Sequence, residues 1–298
     1  MPLSEFPEKH IDVDGIRTRY FEAGEGDAIV LVHGGTIGDS CGAANAEDWA
    51  PVFKDLARNN KVIAIDRLGQ GMTDLPKRDE DYSMAASVAH VTAFLEAKGN
   101  GPFHLVGHSR GGYVVCRITL DRPDLVSSCV IVDSATSSPG LERNDYAFAL
   151  NPHPAGSRES IRYVLEAYSR SHDHVTQDWL DLKTHMIAQR KNGEAIRKMH
   201  EDGLNETSFM AKLRIDRETL FAQLAEEGLL RPTLLIWGYN DPTAPLSMGH
   251  ELYRMISRHQ PRVRLHIINE AGHFTFREQP RAFVRVLREH LEAVACGA

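Results

Sequence analysis

Cysteine is scarce in this chain. Its four thiols, Cys41, Cys116, Cys129 and Cys296, are scattered with no C-x-x-C pair. That spacing gives no support to a zinc site, and Cys116 and Cys129, inside apolar runs, read as buried inert thiols. Histidine is plentiful, 15 in all, but H-E-x-x-H and comparable ligand spacings are missing. No metal or organic cofactor is implied. No apolar stretch approaches the roughly 20 residues that span a bilayer. The segment Met1–Glu8 lacks the basic and apolar regions of a secretory leader, so the expected compartment is the cytoplasm. Positive charge is not in excess either. A net charge of -7 removes the electrostatic case for nucleic acid or an anionic membrane as partner. What is present is an ordinary soluble composition, 42% hydrophobic and 25% charged, over 298 residues. That length supports one large domain or two small ones around a substantial core.

Short apolar runs alternate with helical segments. His10–Val13 and Ile16–Tyr20 flank Asp14-Gly15, a strong hairpin signal. Further strands are expected at Ala28–Val32, Val62–Ile65, Phe103–Val106, Cys129–Val132, Thr233–Trp237 and Val263–Ile268. Helical periodicity covers Ser83–Lys98, Gly112–Leu120, Leu246–Ile256 and Pro280–Val294. This alternation predicts an α/β fold with a mostly parallel sheet flanked by helices on both faces. Residues 137–230 break the rhythm with polar loop and amphipathic sequence, in which Glu159–Ser169, Gln177–Gln189 and Glu194–Asp202 read as helices. The expected organisation is a core of 1–136 and 231–298 with a helical cap, 137–230, inserted between two strands. A cap over the carboxyl edge of the sheet closes a site and selects its substrate. The competing reading is a packing subdomain with no role at the site.

The segment Gly107-His108-Ser109-Arg110-Gly111-Gly112 lies between a buried strand and a helix. A G-x-S-x-G turn in that context is a nucleophile elbow, which exposes a strained serine at the end of the sheet. Val32-His33-Gly34-Gly35 follows another strand, and a glycine turn there lets backbone amides approach a reacting carbonyl. The expected oxyanion amides are those of Gly35 and Arg110, with His33 as a turn-stabilising residue. Asp66–Asp74 forms a D-x-x-G-x-G-x-T-D turn and reads as structural. Asp241, just beyond the strand Thr233–Trp237, is the leading candidate acid, and Asp133, at the end of Cys129–Val132, is its rival. The candidate base is His273, which stands in a Gly-His loop before the last helix. The chain order Ser109, Asp241, His273 is that of the α/β-hydrolases.

With those motifs the chain resembles the α/β-hydrolase fold superfamily over all but the cap, which implies an eight-stranded sheet. Serine at the elbow sets it apart from the branches that use an aspartate nucleophile. Within the serine branch it looks most like the meta-cleavage product hydrolases, on His33-Gly34-Gly35 with its long loop to Trp49, the elbow's double glycine and Ala271-Gly272-His273-Phe274. The resemblance implies cleavage of a carbon–carbon bond in a 2-hydroxy-6-oxo-hexa-2,4-dienoate from aromatic compound degradation. It also implies an anionic small-molecule partner and association into a homo-oligomer. A cap arginine binds the carboxylate in that family. The stretch Val175–Lys183 places Lys183 there, with Arg190 two helical turns on and Arg110 beside the nucleophile as further candidates. Gly34, Asn45 and Phe274 are also expected to touch substrate. The family pattern departs at two positions: Asp48 precedes Trp49 where Asn is usual, leaving Asn45 to take that role, and Phe274 stands where Trp is frequent. An ester, lactone or amide hydrolase with the same triad is the alternative. A non-catalytic binding protein on the same scaffold is a third class, against which the intact Ser109, Asp241 and His273 argue.

Overall fold

Asp14-Gly15 turns the chain as the sequence predicts. Both residues take positive φ, 52° and 76°, and the Gly15 amide donates to Asp12 Oδ1 at 2.8 Å. The turn joins β1 (Glu8–Val13) to β2 (Ile16–Ala23) in antiparallel pairing. The computed structural model describes residues 3–99, 101–141 and 143–297; Met1 and Pro2, at the head of the segment read for a leader, lie outside them. Six further strands follow: β3 (Ala28–Val32), β4 (Lys61–Ile65), β5 (Phe103–His108), β6 (Val126–Val132), β7 (Thr233–Gly238) and β8 (Val263–Ile268). The eight form one sheet in the order β1-β2-β4-β3-β5-β6-β7-β8, parallel from β4 to β8. Every residue of β5 and β7 is buried, which is why those strands read as unbroken apolar runs rather than alternating ones.

Helices cover both faces. α1 (Ala50–Leu56), α2 (Met84–Lys98) and α3 (Arg110–Asp121) accompany the first strands. Between β6 and β7 the described residues hold helices and turns alone: α4 (Asn144–Ala149), α5 (Arg158–Ala167), α6 (Gln177–Ile187), α7 (Arg190–Ile196) and α8 (Ala211–Glu226). α9 (Leu246–Ser257) links β7 to β8, and α10 (Thr275–Glu278) and α11 (Pro280–Ala295) end the fold. One core cluster joins α2 and α3 to the sheet through residues such as Phe94, Leu95 and Val114; the other joins α1 and α11 through Phe53, Phe283 and Leu287. Each such fully buried side chain stabilises the fold by about 1.5–3 kcal/mol. Cys116 and Cys129 sit in the first cluster, where burial pushes the Cys129 thiol up to about 12.

Four helices were not expected from the sequence, α1, α4, α8 and α10. α1 is short and begins at a proline turn. In α8, Leu213, Leu220 and Leu224 are buried while Ile215 on the same helix is exposed, so its apolar residues do not trace one stripe. The helix expected at Glu194–Asp202 is α7 followed by a π turn, Arg197–Glu201.

Buried histidines make the fold acid-sensitive. Burial lowers His33 and His290 to about 3 and His90 to about 4. They stay neutral in the fold while the unfolded chain takes up their protons near pH 6.5, so their stabilisation is complete above that value and is lost as pH falls. Each contributes a slope of about 1.4 kcal/mol per pH unit. Asp133, pushed well above the carboxylate range by burial and by Asp241, works in the opposite sense with one proton. Burial also holds His108 well below its ordinary value and lowers His174 to about 3, so the histidines outweigh Asp133 and a net loss of stability is expected as pH falls from about 6 to 5. Urea midpoints measured at pH 7.5, 6.5 and 5.5 check this, and a flat series contradicts it.

Candidate active site

Ser109 stands between β5 and α3 with φ 54° and ψ -124°, a strained conformation for a residue with a side chain. The turn is that tight because backbone passes close on both sides. A Cβ on Gly107 would stand 2.2 Å from Gly111 O, and one on Gly111 would stand 2.3 Å from Val32 O. Ser134 Oγ, in the loop after β6, donates to Ser109 O at 2.6 Å and fixes the turn. Arg110 opens α3, so its amide belongs to the free, electropositive end of that helix.

The loop after β3 reaches the same place. A Cβ on Gly34 would lie 2.8 Å from Ser109 Cβ, and Gly35 has φ +74° with Ala44 Cβ at 2.6 Å from any Cβ of its own. Only glycine fits this approach. His33 holds the turn as expected: its Nδ1 donates to Gly34 O at 2.9 Å, and its Nε2 accepts from the Arg67 amide at 3.1 Å.

Asp241 and His273 come together from the loops after β7 and β8. His273 Nδ1 donates to Asp241 Oδ2 at 2.8 Å, both side chains being buried. Asp241 Oδ1 accepts from the amides of Thr243 and Ala244, each at 2.8 Å, and from Thr243 Oγ1 at 2.9 Å. The His273 amide donates to Tyr168 O at 2.9 Å, and the His108 ring donates from Nε2 to His273 O at 2.8 Å. Asp133 is turned elsewhere. Its two oxygens accept from Gly238 N at 2.7 Å and Thr275 Oγ1 at 2.8 Å.

Ser109, Arg110, Gly34, Gly35, His273 and Phe274 line a cavity of about 450 Å³. The segment between β6 and β7 supplies much of the opposite wall, including Phe148, Leu165, Tyr168, Lys183 and Met210. Lys183 lies in this wall, 1% exposed. Its Nζ is 2.5 Å from Asp48 Oδ1, donates to Ala43 O at 3.1 Å and sits over the Trp179 ring at 5.3 Å. Burial lowers the Lys183 ammonium from its ordinary value, with Asp48 opposing. Two expectations are corrected. Arg190 is exposed at the start of α7 and does not line the cavity. Asn45 is fully buried but caps the turn Ala46–Trp49, accepting from Glu47 N at 2.9 Å and donating to Ala43 O at 2.9 Å. Its side chain is spent on the backbone, so it does not take the polar role left by Asp48.

Thr243, Tyr168, Arg67 and Glu278 shape the site without having been singled out from sequence. Glu278 accepts from Gly272 N at 2.9 Å and Arg170 N at 2.8 Å, tying the base's loop to the segment after α5. Thr243 carried one signal, its place two residues after Asp241, where an aspartate bonds its own backbone. Among the described residues, no helix is long and apolar enough to cross a membrane.

Residues 27–280 match the family described as alpha/beta hydrolase fold. The chain is 27% identical over 94% of its length to a 2-hydroxy-6-oxo-6-(2'-aminophenyl)hexa-2,4-dienoic acid hydrolase of Metapseudomonas resinovorans, covering 89% of that protein. It is 28% identical over 97% of its length to a 2-hydroxymuconate semialdehyde hydrolase of Pseudomonas sp. strain CF600, covering 95% of it. Among solved structures, a meta-cleavage product hydrolase from Pseudomonas fluorescens IP01 superposes with a TM-score of 0.78 at 24% identity, over 97% of this chain and 98% of that one. The chain belongs to the α/β-hydrolase fold family.

Proposed function

We propose that this protein is a serine hydrolase that cleaves the carbon–carbon bond of a 2-hydroxy-6-oxo-hexa-2,4-dienoate, in the cytoplasm, with Ser109 as nucleophile, His273 as base and Asp241 as its acid partner. The observation that carries the reading is His273, paired with Asp241 at 2.8 Å and lining the same cavity as the strained Ser109. Relatives named for such dienoates match it nearly end to end. His273 first assists the enol-to-keto shift that makes the departing fragment a stabilised carbanion. Ser109 then attacks the 6-oxo carbon while the Gly35 and Arg110 amides receive the oxyanion. The electron pair of the broken bond leaves on C5 and is protonated, and water hydrolyses the acyl-serine to a carboxylic acid. Residues 137–230 form the cap that chooses the substituent, and Phe274 offers an apolar face to the planar chain.

The substrate's carboxylate needs a cation, and Arg110 is the better candidate. Lys183 already answers Asp48, whereas Arg110, half-buried on the cavity wall over Phe209, has no carboxylate partner among the described residues. Arg110→Leu is expected to raise KM for a dienoate by about 10–100-fold with a much smaller change in kcat, the loss of one charge-assisted contact. A neutral p-nitrophenyl ester is expected to lose far less. The neutralised Lys183–Asp48 pair is also the observation that favours the second reading, an ester or lactone hydrolase acting on an uncharged substrate. Incubating the pure protein with yellow ring-fission products bearing phenyl, alkyl or bicyclic groups tests both. Bleaching supports the first reading, while cleavage of p-nitrophenyl esters with no bleaching across that panel supports the second.

A further inference from the structure

The loop that carries Gly35 is held from behind by a cation that no acid answers. Arg67, on the turn after β4, is 1% exposed. Its Nη2 donates to Gly34 O at 2.5 Å and to Gly35 O at 2.7 Å, and its Nη1 donates to Ser87 Oγ at 3.2 Å. No carboxylate among the described residues pairs with it, and burial together with the nearby Arg110 lowers it to about 9. A buried guanidinium without a counter-charge is a costly way to satisfy two carbonyls. Gly34 O is moreover supplied three times over, since His33 Nδ1 at 2.9 Å and Gln70 Nε2 at 3.3 Å also donate to it.

The covalent geometry of the peptide gives this arrangement a consequence. In a trans peptide the C=O and N–H point in opposite directions. Gly34 O and the Gly35 amide belong to one peptide unit, so turning that oxygen onto Arg67 turns the amide hydrogen away from Arg67. Donors gathered on a carbonyl also polarise its peptide and strengthen the N–H at the other end. The Gly34 backbone meanwhile stands so near the nucleophile that a Cβ on Gly34 would lie 2.8 Å from Ser109 Cβ. We propose that Arg67 is the positioning residue of the oxyanion hole, locking and polarising the Gly34–Gly35 peptide so that the Gly35 amide is aimed at the developing negative charge before the reaction begins. This rests on the assignment of Ser109 as nucleophile and Gly35 as oxyanion donor.

The test uses the full chain as wild type, Arg67→Met and Arg67→Lys. Three quantities are measured: steady-state hydrolysis of p-nitrophenyl acetate, inhibition by an aryl trifluoromethyl ketone, and the thermal midpoint. The ketone becomes an oxyanion mimic only after serine adds to it. Arg67→Met is expected to lower kcat by about 10²-fold, with KM within about threefold, and to weaken ketone inhibition in proportion. Arg67→Lys keeps the charge but not the two-pronged contact, and is expected to fall between. The proposal is overturned if Arg67→Met keeps kcat within about threefold of wild type. It is equally overturned if kcat falls while ketone affinity is unchanged, or if both variants lose activity only in step with their thermal midpoints. Should Arg67→Met fail to fold, Arg67→Lys and Gln70→Leu decide by the same parallel between kcat and ketone affinity. A wild-type protein that neither turns over ester or dienoate nor binds the ketone overturns the underlying assignment as well. An active wild type with indifferent Arg67 variants overturns this inference alone.

Discussion

Asp241→Asn is expected to lower kcat by about 10⁴-fold, whereas Asp133→Asn is expected to change it by less than about tenfold. The difference follows from what each carboxylate touches. Three donors, the amides of Thr243 and Ala244 and the Thr243 hydroxyl, converge on Asp241 Oδ1. In the asparagine variant that site must remain an oxygen, so the new NH2 group falls at the position of Oδ2 and faces His273 Nδ1. Two donors cannot share the contact, so His273 must carry its proton on Nε2 and offer Nδ1 as acceptor. That is the tautomer unable to take a proton from Ser109. The fold itself is expected to survive, because all three donors to Oδ1 keep their acceptor. Asp133 presents the opposite case. Burial and the charge of Asp241 hold its carboxyl well above the ordinary range, where a change to a neutral amide alters little. Its contacts, Gly238 N and Thr275 Oγ1, serve to tie β7 to α10. Steady-state rates of both variants on one substrate, with circular dichroism to establish folding, check the pair of values. A large loss in Asp133→Asn with little change in Asp241→Asn would reverse the choice of acid.

That choice was nearly legible in the sequence, and the reason is local. Asp241 and Asp133 both follow strands, and a strand end is recognisable from an apolar run that stops. The turns at Ser109 and Gly35 were legible for the same reason, since they need small residues at fixed spacing and the strands before them are buried in all but Ala28. The hairpin at Asp14-Gly15 is a turn chemistry that allows few alternatives. Where contacts link residues more than a hundred positions apart, nothing in the local sequence announced them. Trp179 Nε1 donates to Asp48 Oδ1 across 131 positions, at 3.1 Å, and no periodicity encodes that pairing. Arg67 lay in a turn read as structural, and its reach to Gly34 and Gly35 is visible only once β3 and β4 lie side by side. α8 escaped notice because its apolar residues serve more than one surface, so the helical stripe is blurred. Arg190 and Asn45 were carried over by resemblance, and both failed for backbone reasons: one opens a helix facing solvent, the other caps a turn.

Lys183→Met is expected to destabilise the protein by about 3–5 kcal/mol, the cost of leaving one member of a buried ion pair unanswered. Asp48 is 4% exposed, and it stays at the junction between the loop after β3 and α6 whether or not the ammonium is there. The Asn45 amide at 3.1 Å and Trp179 Nε1 at 3.1 Å still donate to its oxygens, but neither neutralises the charge. Arg277 is near, yet its Nη1 is committed to Asp48 O at 2.8 Å and its guanidinium lies over the Trp179 ring at 3.7 Å. The double variant Asp48→Asn with Lys183→Met removes the charge and keeps an acceptor oxygen for one of the two donors, so it is expected to recover part of the loss. Urea unfolding of the four proteins gives the coupling energy directly, and a Lys183→Met variant as stable as wild type would show that the pair is worth nothing net. The coupling matters for turnover because of where the partners reside. Trp179 and Lys183 belong to α6 in the inserted segment, while Asp48 belongs to the loop that begins at Gly34 and Gly35. The single ion pair therefore fastens the cavity's outer wall to the backbone proposed to receive the oxyanion. Freeing it loosens both at once, so the Lys183→Met protein that remains folded is expected to lose kcat as well as substrate affinity, and Asp48→Asn in the same chain to restore the two together.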